Sequence, residues 1–213
     1  MLKGSPVETA YYRFLERYLV PRLVELHLKP NHISILGLLV SMMAGVSFAF
    51  RPFWGGLLTL LTGLLDTLDG SLARSTGHTK KFGAFLDSVL DRYTELIIYL
   101  GIWCYFYRQG MANAFISITI LLILFGSLMV SYTRARAESL GVRCLVGMLQ
   151  RGERIIMIGI AGFLNPLVNQ LLGNPSSRWL QNIELISMLL LLAVGTNLTA
   201  LWRFIHVLNN LRR

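Results

Sequence analysis

The sequence predicts an all-α, polytopic membrane protein, and three of its features favour that fold class. Of its 213 residues 54% are hydrophobic, and these fall in long blocks rather than in short periodic runs. No linker rich in proline, glycine or serine divides the chain, which favours a single domain. The basic residues are distributed unequally between alternate connections. A soluble helical bundle would need a polar face on every helix, and several of the blocks have none.

Six apolar blocks reach, with their flanks, the roughly 20 residues of a transmembrane helix. They lie at about 33–50, 53–65, 96–107, 112–132, 155–172 and 183–202. Before them, residues 6–27 mix aromatic side chains with arginines, as interfacial amphipathic helices do. Pro30 ends that segment, and Asn31 is expected to cap the first span. The prediction is one domain over 1–213, with an interfacial helix in 1–30 and a bundle of six transmembrane helices in 31–213.

The net charge of +9 follows this topology. Of the 20 Lys and Arg residues, only Arg51, Arg108 and Arg178 lie in the connections on one side of the predicted bundle. The positive-inside rule therefore places both termini and the basic connections in the cytoplasm, with an even number of spans. We expect an integral protein of the cell's inner membrane and no nucleic-acid partner.

Four aspartates lie next to apolar helical sequence: Asp66, Asp69, Asp87 and Asp91. A charge at membrane depth costs at least ~2.5–3.5 kcal/mol, so such residues indicate a functional site. Each pair is spaced to share one helix face, and two such helices facing each other would bring the four carboxylates together. Crowded carboxylates need a counter-cation, and oxygen ligands suit Mg²⁺ or Mn²⁺.

Two other interpretations of the aspartates are weaker. Structural salt bridges with Lys81, Arg74 and Arg92 would leave an excess of acid. A divalent-cation carrier would need polar groups through the whole bilayer, whereas Glu184 is the one acidic residue in the far half of a predicted span.

The aspartates belong to a longer motif, which resembles the signature of the CDP-alcohol phosphatidyltransferases. Its residues are Asp66-x-x-Asp69-Gly70-x-x-Ala73-Arg74, followed by Gly83-x-x-x-Asp87-x-x-x-Asp91. The resemblance implies an enzyme that transfers the phosphatidyl group of a CDP-lipid to an alcohol and releases CMP. It also implies a homodimer, by analogy.

The resemblance also implies roles for the motif residues. Asp66, Asp69 and Asp87 would bind the metal that holds the donor's diphosphate, and Asp91 would complete the metal site or act as the general base. The cytidine pocket would be shaped by Gly70, Ala73, Arg74 and Gly83.

A second motif bears on the acceptor alcohol. Ser-Tyr-Thr-Arg-Ala-Arg-Ala-Glu at 131–138 and Gly-x-x-Gln-Arg-Gly-Glu-Arg at 147–154 are similar to the branch of the family that makes phosphatidylinositol phosphate or archaetidylinositol phosphate. Arg134 stands where that branch often has lysine, and Gln150 where it often has glutamate. Guanidinium groups bind phosphate through paired hydrogen bonds, which favours a phosphorylated acceptor.

The expected acceptor is inositol phosphate, with glycerol 3-phosphate or serine as alternatives. The expected acceptor-binding residues are Arg134, Arg136, Arg151 and Arg154, with Arg203 a further candidate.

Overall fold

The computed structural model describes residues 6–76 and 81–212 and contains helices and no β-strand within those ranges. Three of the 20 basic residues counted above, Lys3, Lys80 and Arg213, lie outside the described residues. The elements are α1 (Pro6–Phe14), a π-helical turn (Leu15–Leu19), α2 (Val20–Glu25), α3 (Pro30–Phe50), α4 (Pro52–Ser75), α5 (Lys81–Arg108), α6 (Ala114–Ser139), α7 (Arg151–Leu171), a 3₁₀ turn (Leu180–Asn182) and α8 (Ile183–Leu211).

Four helical segments within the described residues are long and apolar enough to cross a membrane: Pro30–Phe50, Ala114–Ser139, Arg151–Leu171 and Leu180–Leu211. The other two long helices, α4 and α5, carry the aspartates of the motif, so they are more polar. The prediction of an all-helical membrane protein is therefore confirmed.

The long helices pack around a main apolar core. Helix α3 packs along both α4 and α5, α4 packs along α7, and α8 contacts α6 and α7. Glycines allow the closest approaches: a Cβ at Gly101 would lie 2.1 Å from the carbonyl oxygen of Gly45, and one at Gly56 would lie 2.3 Å from the amide nitrogen of Phe163. Small residues at such crossings let helix backbones come together in membranes.

The first residues of α3 differ from the expectation for Asn31. The helix begins at Pro30, with Lys29 in the extended conformation of a cap residue, so Asn31 lies inside the first turn. Proline suits the first helical position because its missing N–H is not needed there. The Asn31 side-chain oxygen lies instead against α5, 3.2 Å from where a Cβ of Gly83 would be.

The segment before α3 packs on the bundle. Leu15 and Val20 join a buried apolar cluster with Ile33 of α3 and with Leu68 and Leu72 of α4. This segment, Pro6–Glu25, is called the N-terminal helix below. It packs on α4, the helix that carries the first two aspartates of the motif.

Candidate active site

Three of the predicted metal ligands come together at one end of the bundle. Carboxylate oxygens of Asp66, Asp69 and Asp87 all lie within 4.8 Å of one another. Asp66 and Asp69 share a face of α4 because they are three residues apart, and Asp87 faces them from α5. A compact set of carboxylate oxygens with no histidine or cysteine in it fits a hard divalent cation such as Mg²⁺ or Mn²⁺.

A serine of α3 completes this group, and the sequence did not single it out. The Ser34 hydroxyl donates a hydrogen bond of 2.7 Å to Oδ2 of Asp69, which is 7% exposed. The signal that could have identified it is a polar side chain within the first turns of an otherwise apolar span. Groups that hydrogen-bond to a metal ligand fix its orientation.

We expect Ser34→Ala to weaken Mn²⁺ binding by about tenfold to a hundredfold, because Asp69 loses the hydrogen bond that orients it. Binding can be measured by electron paramagnetic resonance or calorimetry on purified protein in detergent. Ser41→Ala is the matched control, since the Ser41 hydroxyl on the same helix donates to the Leu38 carbonyl oxygen and not to an aspartate. Equal affinities for the two variants would contradict the role of Ser34.

Asp91 lines the same small cavity as the three clustered carboxylates, and it is held by arginines. Its Oδ1 accepts from Nη1 of Arg151 at 2.8 Å, and its Oδ2 lies 3.4 Å from Nη1 of Arg92. The same Nη1 of Arg151 also contacts Oδ1 of Asp66. Arg151 therefore links the carboxylate group to the fourth aspartate, and a metal-ligand role for Asp91 stays a prediction.

Arg154 forms a second ion pair between α5 and α7, about one helical turn further along both helices than the pair of Arg151 and Asp91. Its Nε and Nη2 donate to Oε1 of Glu95 at 2.9 and 2.5 Å, and its Nη1 donates to the Leu149 carbonyl oxygen at 3.0 Å. The Arg154 side chain is 1% exposed. Glu95 was not among the residues predicted from the sequence. Its signal is that it follows Asp91 by one helical turn inside an apolar helix, where a charge needs a partner.

The remaining predicted acceptor residues lie at the end of α6 and beside it. Nε of Arg134 pairs with Glu138 at 2.8 Å on a partly exposed surface, and Arg136 is exposed. Arg203 of α8 is buried and donates to the carbonyl oxygens of Val146 and Val130 at 2.8 and 2.7 Å. The structure therefore places these three arginines, unlike Arg151, away from direct contact with the aspartates.

The residues predicted to shape the cytidine pocket lie around the end of α4 and the start of α5. A Cβ on Gly70 would be 3.5 Å from Nη1 of Arg74, which is ordinary contact, whereas Gly83 lies tightly against Asn31. The Arg74 side chain donates to the Ser71 hydroxyl at 3.0 Å, and Ala73 is half-buried between these positions.

A large cavity reaches Asp66 from the side. It encloses about 620 Å³ between the N-terminal helix, α4 and α7. Its polar lining includes Asp66, Gln150 and Arg151, and its apolar lining includes Leu60, Ile155 and Ile156. Asp66 thus belongs both to the three-carboxylate group and to the wall of this cavity.

A helical membrane bundle with clustered carboxylates and arginines at one end is suited to binding phosphate groups through a divalent cation. The sequence model of the CDP-alcohol phosphatidyltransferases matches residues 27–196. The chain belongs to this family, and it is an integral membrane enzyme of phospholipid biosynthesis.

Relatives with established names support the family assignment. The archaetidylinositol phosphate synthase of Pyrococcus horikoshii is 40% identical over 145 residues, which span 67% of this chain and 73% of that protein. The phosphatidylinositol phosphate synthase of Streptomyces avermitilis is 32% identical over 213 residues, which span 96% of this chain and 84% of that protein.

Solved structures agree. The Mycobacterium tuberculosis phosphatidylinositol phosphate synthase PgsA1 with CDP-DAG bound has a TM-score of 0.73 at 29% identity, covering 89% of this chain and 91% of that one. The same enzyme in complex with manganese and citrate has a TM-score of 0.74 at 28% identity, covering 90% and 88%.

Proposed function

We propose that this enzyme transfers the phosphatidyl group of CDP-diacylglycerol to inositol phosphate and releases CMP. The donor site is inferred from the position of Asp66, which belongs both to the carboxylate group and to the wall of a largely apolar cavity. A lipid with a diphosphate head needs such a site, polar at one end and apolar along its length. The acceptor is inferred from the relatives, which synthesise inositol phosphate lipids, and from the arginines.

The residues divide the chemistry between them. Asp66, Asp69 and Asp87 would hold a divalent cation, Mg²⁺ or Mn²⁺, which would supply positive charge to neutralise the diphosphate as CMP leaves. Asp91 takes the proton of the acceptor hydroxyl. The hydroxyl oxygen attacks the lipid-linked phosphorus, and the bond from that phosphorus to the bridging oxygen breaks, so that CMP leaves. Arg151 orients Asp66 and Asp91, and the residues Gly70, Ala73, Arg74 and Gly83 surround the cytidine.

The acceptor site lies at the junction of α6, α7 and α8. Arg134 and Arg136 lie in the last turns of α6, and Arg154 of α7 and Arg203 of α8 are buried. Arg134 is paired with Glu138 and Arg154 with Glu95, and Arg136 and Arg203 add two further guanidinium groups. Such a site favours an acceptor that already carries a phosphate.

We expect Arg134→Ala and Arg136→Ala each to raise the KM for inositol phosphate by about tenfold to a hundredfold, because a charge-assisted contact to phosphate is lost. The KM for CDP-diacylglycerol should stay within about twofold. Steady-state CMP release at varied acceptor and donor concentrations measures both constants. Arg143→Ala removes an exposed arginine of the α6–α7 connection and is the matched control. A rise in the donor KM, or no change in either, would remove these arginines from the acceptor site.

The proposal extends to the membrane arrangement. Helices α4 and α5, with 24 and 28 residues, are long enough to cross a ~30 Å hydrocarbon core beside the four more apolar spans. This gives six spans in one domain over 1–213, with the N-terminal helix at the interface. The active site and both termini face the cytoplasm, and the enzyme is a homodimer.

A further inference from the structure

The N-terminal helix contacts the metal-binding helix through polar groups as well as apolar ones. The Tyr11 hydroxyl lies 2.8 Å from the Thr67 hydroxyl, and Thr67 stands between Asp66 and Asp69 in the motif. The Thr67 hydroxyl is itself anchored on α4, 2.8 Å from the Leu64 carbonyl oxygen. Tyr11 is therefore tied to the turn of α4 that presents the first two aspartates.

Tyr12 extends this contact toward the end of α4. The Arg74 guanidinium lies over the Tyr12 ring at 5.4 Å from its centroid, in cation–π geometry. The rings of Tyr11 and Tyr12 meet edge to face, with centroids 5.7 Å apart. The two tyrosines and Arg74 thus form a continuous surface along one side of the motif helix.

The two tyrosines of that surface line the 620 Å³ cavity. Tyr11 and Tyr12 line it from the N-terminal helix, and Gly152 and Ile156 line it from α7. Tyrosine combines an apolar ring with a polar hydroxyl, so it suits the place where a phosphate-bearing headgroup joins apolar chains. The cavity has this composition, since Asp66 and Thr67 lie beside the tyrosines.

We propose that Tyr11 and Tyr12 are donor-binding residues, whose rings contact the diacylglycerol part of the donor where it joins the diphosphate. The inference rests on the proposed function, because it takes a CDP-lipid as the occupant of the cavity. It makes the N-terminal helix part of the active site, in addition to its place at the membrane surface.

The test compares Tyr11→Leu, Tyr12→Leu and Tyr18→Leu in the full-length protein. Tyr18 is the matched control, because it belongs to the same helical segment, is 50% exposed and packs on Phe14, away from the cavity. CMP release is measured with varied CDP-dioleoylglycerol at saturating acceptor, together with the inhibition constant of CMP, which carries the nucleotide without the lipid. Thermal unfolding in detergent reports folding.

For Tyr11→Leu and Tyr12→Leu we expect the KM for CDP-dioleoylglycerol to rise by roughly tenfold, since an aromatic contact to the lipid is lost. The CMP inhibition constant and the acceptor KM should stay unchanged, and Tyr18→Leu should behave as the wild type. Tyr11 is 37% exposed, so Tyr11→Leu still decides the matter if Tyr12→Leu does not fold. An unchanged donor KM in Tyr11→Leu, or a CMP constant that rises in parallel, would overturn the inference. Absence of CMP release by the wild type would instead refute the proposed function.

Discussion

Asp66→Asn, Asp69→Asn and Asp87→Asn are each expected to abolish CMP release, because each removes one charged ligand from the group of three carboxylates. A bound divalent cation contributes several kcal/mol to the stabilisation of transition-state charge, so a loss of about a hundredfold to ten-thousandfold in kcat/KM is expected. Mn²⁺ binding should weaken in the same variants. Activity is measured as CMP release, and metal binding by calorimetry.

Asparagine has nearly the same shape as aspartate, so the fold should be retained in these variants. Glu25→Gln, which neutralises an exposed carboxylate at the end of α2, is the control and should keep full activity. Near-normal turnover in any one of the three aspartate variants would remove that residue from the metal site.

Asp91→Asn is expected to separate binding from catalysis. Asp91 lies outside the carboxylate group and is held by Arg151 and Arg92, so the variant should still bind Mn²⁺ and CDP-diacylglycerol while failing to transfer. Donor protection against thermal unfolding measures binding, and CMP release measures transfer. Loss of Mn²⁺ binding in this variant would show that Asp91 is mainly a metal ligand.

The second large effect concerns the buried pair of Glu95 and Arg154. Replacing either partner alone, as in Glu95→Leu or Arg154→Met, should lower the free energy of unfolding by about 3–5 kcal/mol, because an unpaired charge is left inside the bundle. The double variant Glu95→Leu/Arg154→Met should recover most of that loss, because two apolar side chains then replace the pair. Denaturation in detergent measures the three variants.

The exposed pair of Arg134 and Glu138 provides the matched comparison. These side chains are 41% and 50% exposed, so Glu138→Gln should change stability by less than about 1 kcal/mol. If the double variant at Glu95 and Arg154 stays as unstable as the single ones, Arg154 has stabilising contacts beyond Glu95. If Arg154→Met folds normally on its own, the buried pair is not a stabilising element.

The all-helical class, the membrane location and the aspartate motif could be predicted because each depends on local sequence. Long apolar blocks define the helices, and residues three or four apart share a helix face in any packing arrangement. Asp66, Asp69 and Asp87 therefore come together once α4 faces α5. The family followed from the same short motif, and its sequence model covers most of the chain.

The partners that hold the site could not be predicted, because they depend on which helices pack together. Ser34 is 35 residues from Asp69, and Glu95 is 59 residues from Arg154. Tyr11 contacts Thr67, which lies 56 residues further along the chain. The aromatic residues around Tyr11 indicate a helix at the membrane surface, but they do not indicate that it packs on α4. The link between Asp66 and Asp91 likewise depends on Arg151, which α7 brings to both carboxylates.

The measurement that tests the central claim most directly is CMP release from CDP-dioleoylglycerol by the purified enzyme, in the presence of Mn²⁺ and with each of a panel of acceptors. Inositol phosphate should support turnover, and free inositol should be at least about a hundredfold worse, since it lacks the phosphate that the arginines would bind. Serine should be inert. Efficient use of serine or free inositol would contradict a phosphate-binding acceptor site, and a preference for glycerol 3-phosphate would contradict inositol phosphate as the acceptor.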